Sequence, residues 1–316
     1  SERRGDEAVA RLQRAPAEAP RIPTIVADRA MAAVRAARWG DSLKDPAGRQ
    51  KNAGKTLTEA LKFADDWAET HLAAAAWHNA NGALERELSA VLRALELAPT
   101  SADGHLRLAE VQMAAGRIGI AERRFALALE LDPNLEHARL GQVRLAAFAG
   151  DEARAQTALD QAAAALGRSH TSVLTTQFRL GLWTGRRALV EDARRWLTDS
   201  PAHRLLSVLI EFSLGEVHLD ALDTFYATVR PWLRGGVHAA TATIVAESCL
   251  TRGESSTAIQ RVLESAEHFH DVDWLTRCPL IEPLRSDPQY LMLAGGIRAV
   301  VEASFSRNAT TRVTLG

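Results

Sequence analysis

The chain has little of several things that would announce a function. It holds two cysteines, Cys249 and Cys278, in 316 residues. That is too few for a disulfide framework and fits two buried thiols in a reducing compartment. No run of about 18 apolar residues occurs, which excludes a membrane-spanning helix. Tyrosine (2) and phenylalanine (8) are scarce while alanine is abundant, a bias toward helix over sheet. Lysine is confined to Lys44, Lys51, Lys55 and Lys62. The remaining basic residues are arginine, and this Ala- and Arg-rich usage suggests a GC-rich bacterial source. A net charge of −1 and a pI of 6.8 leave no global basic field to recruit nucleic acid or anionic lipid. The opening SERRGDEAVARLQRAPAEAP has no apolar signal-peptide core. A cytoplasmic location is therefore expected, and a start at Ser1 suggests a piece of something longer.

What the chain does have is a ladder with a step of 34. Gly116 is followed by Ala121, Phe125, Ala128 and Pro133, at offsets of 5, 9, 12 and 17. The same offsets from Gly150 give Ala155, Leu159, Ala162 and Gly167; from Gly82 they give Glu87, Val91, Ala94 and Pro99. Glycines recur at Gly82, Gly116, Gly150, Gly185, Gly215 and Gly253, in steps of 34, 34, 35, 30 and 38. Repetition at such a period means stacked supersecondary units. Each glycine sits between two amphipathic segments of helical length, where a left-handed residue is wanted. Small residues five and twelve places later let helices approach, and the larger residue between them fills the groove.

Residues 1–23, with Pro16, Pro20 and Pro23, read as a tail or linker, and helical spacing begins at Thr24. Gly40 to Gly54 reads as a polar connection. Residues 24–67 thus form an atypical helical unit, 68–270 the repeat array, 271–305 a closing segment and 306–316 a tail. The Gly185 and Gly215 units depart from the ladder, with Val190 and Asp220 in the small-residue slot.

Gly116, Ala121, Phe125, Ala128 and Pro133, with Ala109 before them, resemble the tetratricopeptide repeat family, as do Ala75 and the step of 34. The likeness is sharpest over 68–167. It implies an all-α solenoid of about seven stacked helical hairpins in a right-handed superhelix. It also implies a binding scaffold, not an enzyme. The segment DVDWLTRCPLIEPLRSDPQYLMLAG (271–295), through Trp274, Pro279, Pro283, Leu284, Arg285, Asp287, Pro288 and Tyr290, resembles the ending of arrays attached to bacterial serine/threonine kinases and related signalling regulators. It reads as a cap over the apolar end of the stack, with Asp287 as N-cap and Pro288 in the first helical turn.

Residues that suggest chemistry have plainer readings. Gly48 to Thr56 (GRQKNAGKT) ends like a phosphate-binding loop, but Arg49 stands where that loop needs its first glycine. Lys55 then reads as solvent-facing and Thr56 as an N-cap. His268, His270, Asp271 and Asp273 crowd together without zinc-ligand spacing, and capping explains them. Asn308-Ala309-Thr310 matches a glycosylation acceptor by pattern alone. No nucleophile elbow or His-Glu-x-x-His occurs, so no catalytic residue, metal or cofactor is assigned. Paired arginines such as Arg186-Arg187 alternate with acids, as solvated faces do.

In the resembled family the first helix of each unit lines a concave groove. Register from the turn glycines nominates Asn79, Asp103, Glu110, His137, Arg144 and Arg179, with Phe148 and Trp183 one place further. Glu69, Leu72, Leu106 and Met113 share that register, the apolar three as core candidates. A mix of charge and aromatic anchors suits a peptide. The expected partner is a protein or peptide, with a kinase domain in cis as one possibility. Nucleic acid and membrane are not expected, and the oligomeric state is open. The alternative is a helical-repeat regulator that senses a small molecule or a nucleic acid.

Overall fold

The computed structural model describes residues 22–39, 46–230, 233 and 235–308. The expected tails at 1–21 and 309–316, and positions 40–45 of the polar connection, lie outside that range. The described residues form helices and turns with no strand. Seven antiparallel hairpins follow one another: α1 (Pro23–Trp39) with α2 (Pro46–Phe63), α3 (Ala68–Ala80) with α4 (Leu84–Leu97), α5 (Ala102–Ala114) with α6 (Ile118–Leu131), α7 (Glu136–Phe148) with α8 (Glu152–Leu166), α9 (Thr171–Trp183) with α10 (Arg187–Arg194), α11 (Pro201–Leu214) with α12 (Leu219–Val229), and α13 (Gly235–Thr251) with α14 (Ser255–Leu263). A closing stretch holds a 3-10 turn (Ala266–His268), α15 (Val272–Arg277), a second 3-10 segment (Pro279–Leu284) and α16 (Pro288–Asn308). The architecture is a tetratricopeptide-like helical-repeat solenoid.

The glycine ladder and the turns coincide. Gly82, Gly116, Gly150, Gly185, Gly215 and Gly253 all have positive φ, from 65° to 82°. Gly116 shows why: its left-handed backbone lets Arg117 N–H reach back to the Gln112 carbonyl at 2.9 Å, closing the last turn of α5. Ala121, Phe125 and Ala128 are fully buried on the inner face of α6. The ring of Phe125 presses on Gly141 of α7, where an added Cβ would sit 2.4 Å from the ring. The departure at Val190 has a similar logic. Val190 is buried against Gly181 of α9, so bulk in one slot is matched by its absence across the contact. In α12 the register slips instead: Leu222 and Tyr226 are buried while Asp220 and Ala221 are exposed.

Two expectations are corrected. Residues 46–54 are not connection but the start of α2, since Pro46 is tolerated at a first helical position. Thr56 is therefore mid-helix rather than an N-cap, and its hydroxyl donates to the Asn52 and Ala53 carbonyls. The closing stretch does not cap the end of the stack. It folds back inside: α15 packs on α5, the Pro279–Leu284 segment on α9 and α13, and α16 on α4 and α14. The cause is composition, because Trp274, Leu275, Ile281 and Leu284 need an apolar surface and the first helices supply one. Its local reading holds: Asp287 accepts from Gln289 N–H and Tyr290 N–H at the start of α16.

Helix α13 crosses the interior from α9 and α11 to α3. It arrives at α3 with no room to spare. A Cβ on Gly235 would lie 2.3 Å from the Ala80 carbonyl oxygen, and one on Gly236 2.2 Å from that of Asn79. Glycine to alanine normally stabilises a helix by about 1 kcal/mol. Here Gly236→Ala is expected to destabilise the protein by about 1–3 kcal/mol, because rigid backbone must shift. Urea unfolding checks the sign, and a stabilised variant would contradict this contact.

Candidate functional site

The first helices α3, α5, α7 and α9 make one wall, and the residues singled out for the groove divide along it. Arg144, Phe148, Arg179 and Trp183 lie in the C-terminal halves of α7 and α9 and are covered by the molecule itself: Arg144 meets the closing stretch, Arg179 and Trp183 meet α13, and Phe148 packs on Trp183. Arg144 is buried. Its Nε donates to Asp273 Oδ2 at 3.0 Å, and its Nη1 to Asp271 Oδ2 at 2.7 Å. Its Nη2 donates to Asp271 Oδ1 at 2.6 Å and to Asp273 Oδ2 at 2.7 Å. Burial works against the Arg144 charge, but the two aspartates outweigh it and push the guanidinium pKa upward. Asp273 is fully buried, and burial pushes its carboxyl pKa up against the pull of Arg144. Its other oxygen accepts from Arg277 Nη1 at 3.1 Å, so the carboxylate is held by two arginines. Asp271 Oδ1 also caps α15 by accepting from Trp274 N–H, as expected of an aspartate there.

A second knot adjoins the first. Glu247, in the C-terminal third of α13, is 0% exposed. Its carboxylate accepts from Arg179 Nε and Nη2 at 2.8 and 2.7 Å, from Trp183 Nε1 at 3.0 Å and from Trp274 Nε1 at 2.8 Å. The aromatics tie the two knots together. Phe148 and Trp183 pack edge to face with centroids 5.0 Å apart, and the Arg144 and Arg179 guanidinium groups lie 5.0 and 4.7 Å from their rings. Phe269 meets Trp274 the same way at 5.8 Å.

The magnitudes show what this arrangement is. Phe269, Val272, Trp274, Leu275, Ile281 and Leu284 are all buried in the closing stretch. At roughly 1.5–3 kcal/mol for each buried side chain, they contribute on the order of 10 kcal/mol before chain entropy. A ligand in that place would have to displace those side chains and bury comparable apolar surface of its own. Two buried ion pairs that would be left open add to that cost. The inner half of the wall is therefore core, already filled in cis.

The other half is open. Asp103 and His137 are exposed, as is Glu69, and the three stand at equivalent places 34 residues apart in the first turns of α3, α5 and α7. Glu110 is half-buried and pairs with Arg107 at 2.9 Å. Asn79 is half-buried and donates to Glu87 Oε2 at 3.1 Å, so the glutamate that breaks the small-residue slot has its carboxylate satisfied. Leu72 and Leu106 are core, and Met113 packs against it.

The remaining chemical candidates fall into place as structure. Cys249 and Cys278 are free and buried, and burial pushes the Cys249 thiol up to about 12 and that of Cys278 higher still. Asn308 is buried, with its amide donating to the Glu85 and Ser304 carbonyls, which leaves no access for glycosylation. Among the described residues no cluster of three metal-capable side chains is found. No helix is long and apolar enough to cross a membrane among the described residues.

No protein-family model and no curated protein matches the chain. Among solved structures it is similar to a monomeric IFIT1 mutant with Gppp-AAAA, at 14% identity and a TM-score of 0.47 over 84% of this chain and 68% of that one. It is also similar to the human IFIT1 dimer with PPP-AAAA, at 16% identity and a TM-score of 0.45 over 84% and 69%. Likeness at that level assigns no role to any residue here.

Glu247 escaped the sequence reading. Helix α13 is nearly uncharged along its 17 residues, and a helix apolar on all sides belongs in a core. A lone carboxylate in such a helix must have buried partners, and that signal was available.

Proposed function

We propose that the chain is a non-catalytic helical-repeat scaffold that binds a protein or peptide along the open half of its first-helix wall. The observation that carries this is the exposed ladder Glu69, Asp103 and His137, with Glu110 beside it, once the inner half is subtracted as core. Successive first helices pack on one another, α3 on α5 and α5 on α7, so the ladder is a continuous strip. Asp65 and Asp66, just before α3, and Glu136 in α7 extend it. Acids in the first turn complement the helix dipole, which accounts for single residues. It does not require acids at the same exposed place in both α3 and α5, as Glu69 and Asp103 are.

A strip with that charge suits a Lys- or Arg-bearing segment and repels phosphate backbones, which favours a peptide over a nucleic acid. The resemblance of the closing stretch to kinase-attached arrays favours a signalling protein as the setting, with the module regulating a catalytic domain in cis. A fluorescent Lys/Arg-rich peptide titrated into the protein tests the strip. Asp103→Lys combined with Glu110→Lys is expected to weaken binding by about tenfold or more with unchanged helicity. Equal affinity in the double variant, or preferential binding of an oligoribonucleotide, would overturn the assignment.

A further inference from the structure

The acidic edge of the first-helix wall has an occupant of fitting charge in the same chain. Residues 1–21 precede Ile22, where the chain enters the described structure. Helix α1 fixes the place of entry. It packs on α3: Met31 lies on the cluster of Ala68 and Leu72, and Val34 shares a cluster with Ala76. Later residues of α1 thus meet later residues of α3, and the two helices run parallel. Pro23 stands about two turns before Met31, level with the residues that precede Ala68. The chain therefore enters beside Asp65, Asp66 and Glu69, all exposed. Lys62 is the only base between Ala60 and Thr70, so that corner is net acidic. Asp103 continues it one first helix further on. None of these four carboxylates is in a salt bridge among the described residues.

The sequence before Ile22 carries the complement. From Ala8 to Ala17 it reads AVARLQRAPA, with Arg11 and Arg14 and no acid; Asp6, Glu7 and Glu18 flank that stretch. Reach selects the same two arginines. At about 3.5 Å per extended residue, Arg14 can lie up to roughly 28 Å from Ile22 and Arg11 up to roughly 38 Å. Packed helices are roughly 8–10 Å apart, so α3 is about 10 Å and α5 about 20 Å from α1. Arg21 is tethered within about 4 Å of Ile22 and cannot pass α3. Arg3 and Arg4 stand among Glu2, Asp6 and Glu7, which offset them. Exposed ion pairs are individually weak. A tether this short, however, gives an effective concentration on the order of millimolar, so a contact too weak to form between molecules is populated within one.

We infer that residues 8–17 dock across the first turns of α3 and α5, with Arg11 and Arg14 against Asp65, Asp66, Glu69 and Asp103, and cover the strip until a partner displaces them. This rests on the reading of the strip as a surface for Lys- and Arg-bearing segments. A nitroxide at Ala8→Cys reports the contact in the whole chain, because Cys249 and Cys278 are buried and stay unlabelled. It should broaden the amide resonances of residues 65–69 and 103, to the same extent on dilution. Arg11→Glu with Arg14→Glu should remove the broadening, as should Glu69→Lys with Asp103→Lys. Combined, the two pairs should broaden the strip more than either pair alone, a recovery that misfolding cannot produce. Strip resonances untouched by the label, broadening only of a second, isotope-labelled copy, or no recovery in the combined variant each overturns the proposal. Peptide titration separates it from the reading on which it rests. Arg11→Glu with Arg14→Glu should bind the Lys/Arg-rich peptide about tenfold or more tighter than the unaltered chain, since the tethered competitor is gone. Equal and measurable affinities would overturn the docked segment and leave the strip reading standing. Absence of peptide binding in both would count against the strip reading, and the label alone then decides the docked segment.

Discussion

Arg144→Leu is expected to destabilise the protein by about 3–5 kcal/mol in urea unfolding. Leucine fills much of the space, so the loss comes from charge. Asp273 has no exposure, and without Arg144 it keeps only Arg277, one turn along its own helix. Asp271 loses both of its guanidinium contacts. The hydrogen bonds from Arg144 run to three carboxylate oxygens on two residues. Lysine offers a point charge without the planar fork, so Arg144→Lys is expected to recover less than half of the loss. Adding Asp273→Asn to Arg144→Leu should return part of the stability by removing the stranded charge. A cost below about 1 kcal/mol for Arg144→Leu would mean that the knot is solvated and contributes little.

Glu247→Gln is the sharper substitution, because it changes almost no volume. Both carboxylate oxygens face donors: Oε2 accepts from Arg179 Nε, and Oε1 from Arg179 Nη2, Trp183 and Trp274. Whichever way a glutamine amide turns, its NH2 meets an N–H. A buried donor is left unsatisfied and the Arg179 charge loses its partner. The expected cost is about 2–4 kcal/mol. The orientation that keeps Oε1 as acceptor for Trp183, Trp274 and Arg179 Nη2 sets the NH2 against Arg179 Nε alone, so the tryptophans' near-ultraviolet circular dichroism should be retained while stability falls. Arg179→Leu together with Glu247→Leu should be less damaging than either alone, since a buried pair replaced by apolar side chains is often neutral. Additive losses would show that the two residues are not coupled.

The repeat architecture was legible because each unit encodes its own turn. Gly116 needs a left-handed backbone and Phe125 a small neighbour, and both requirements are local or reach only the next hairpin. Even the irregular middle kept its hairpins, as Val190 against Gly181 shows. The groove residues were legible as a register, since the first-helix positions do form one wall. Their environment was not. Arg144 meets Asp271 across 127 positions and Arg179 meets Glu247 across 68, separations that no repeat period encodes. The closing stretch looked like a cap because caps and inner plugs share a composition: aromatic, proline-bounded and apolar on one side. What distinguishes them is whether the wall offers paired arginines at the matching place, and that is settled only when the solenoid has curled. The start of α2 was missed for a simpler reason. Gly48 and Gly54 suggest a loop, but both lie inside α2, and Gly54 packs beside Trp77 with room for an ordinary side-chain contact.

Arg144 is core rather than groove because the closing stretch is a permanent part of the core. Amide hydrogen exchange on the whole chain measures this directly. Residues 272–284 should be protected to the same free energy as α5, α7 and α9, opening only with global unfolding. Exchange of that stretch orders of magnitude faster, with those helices still protected, would contradict it and return Arg144 to an open groove.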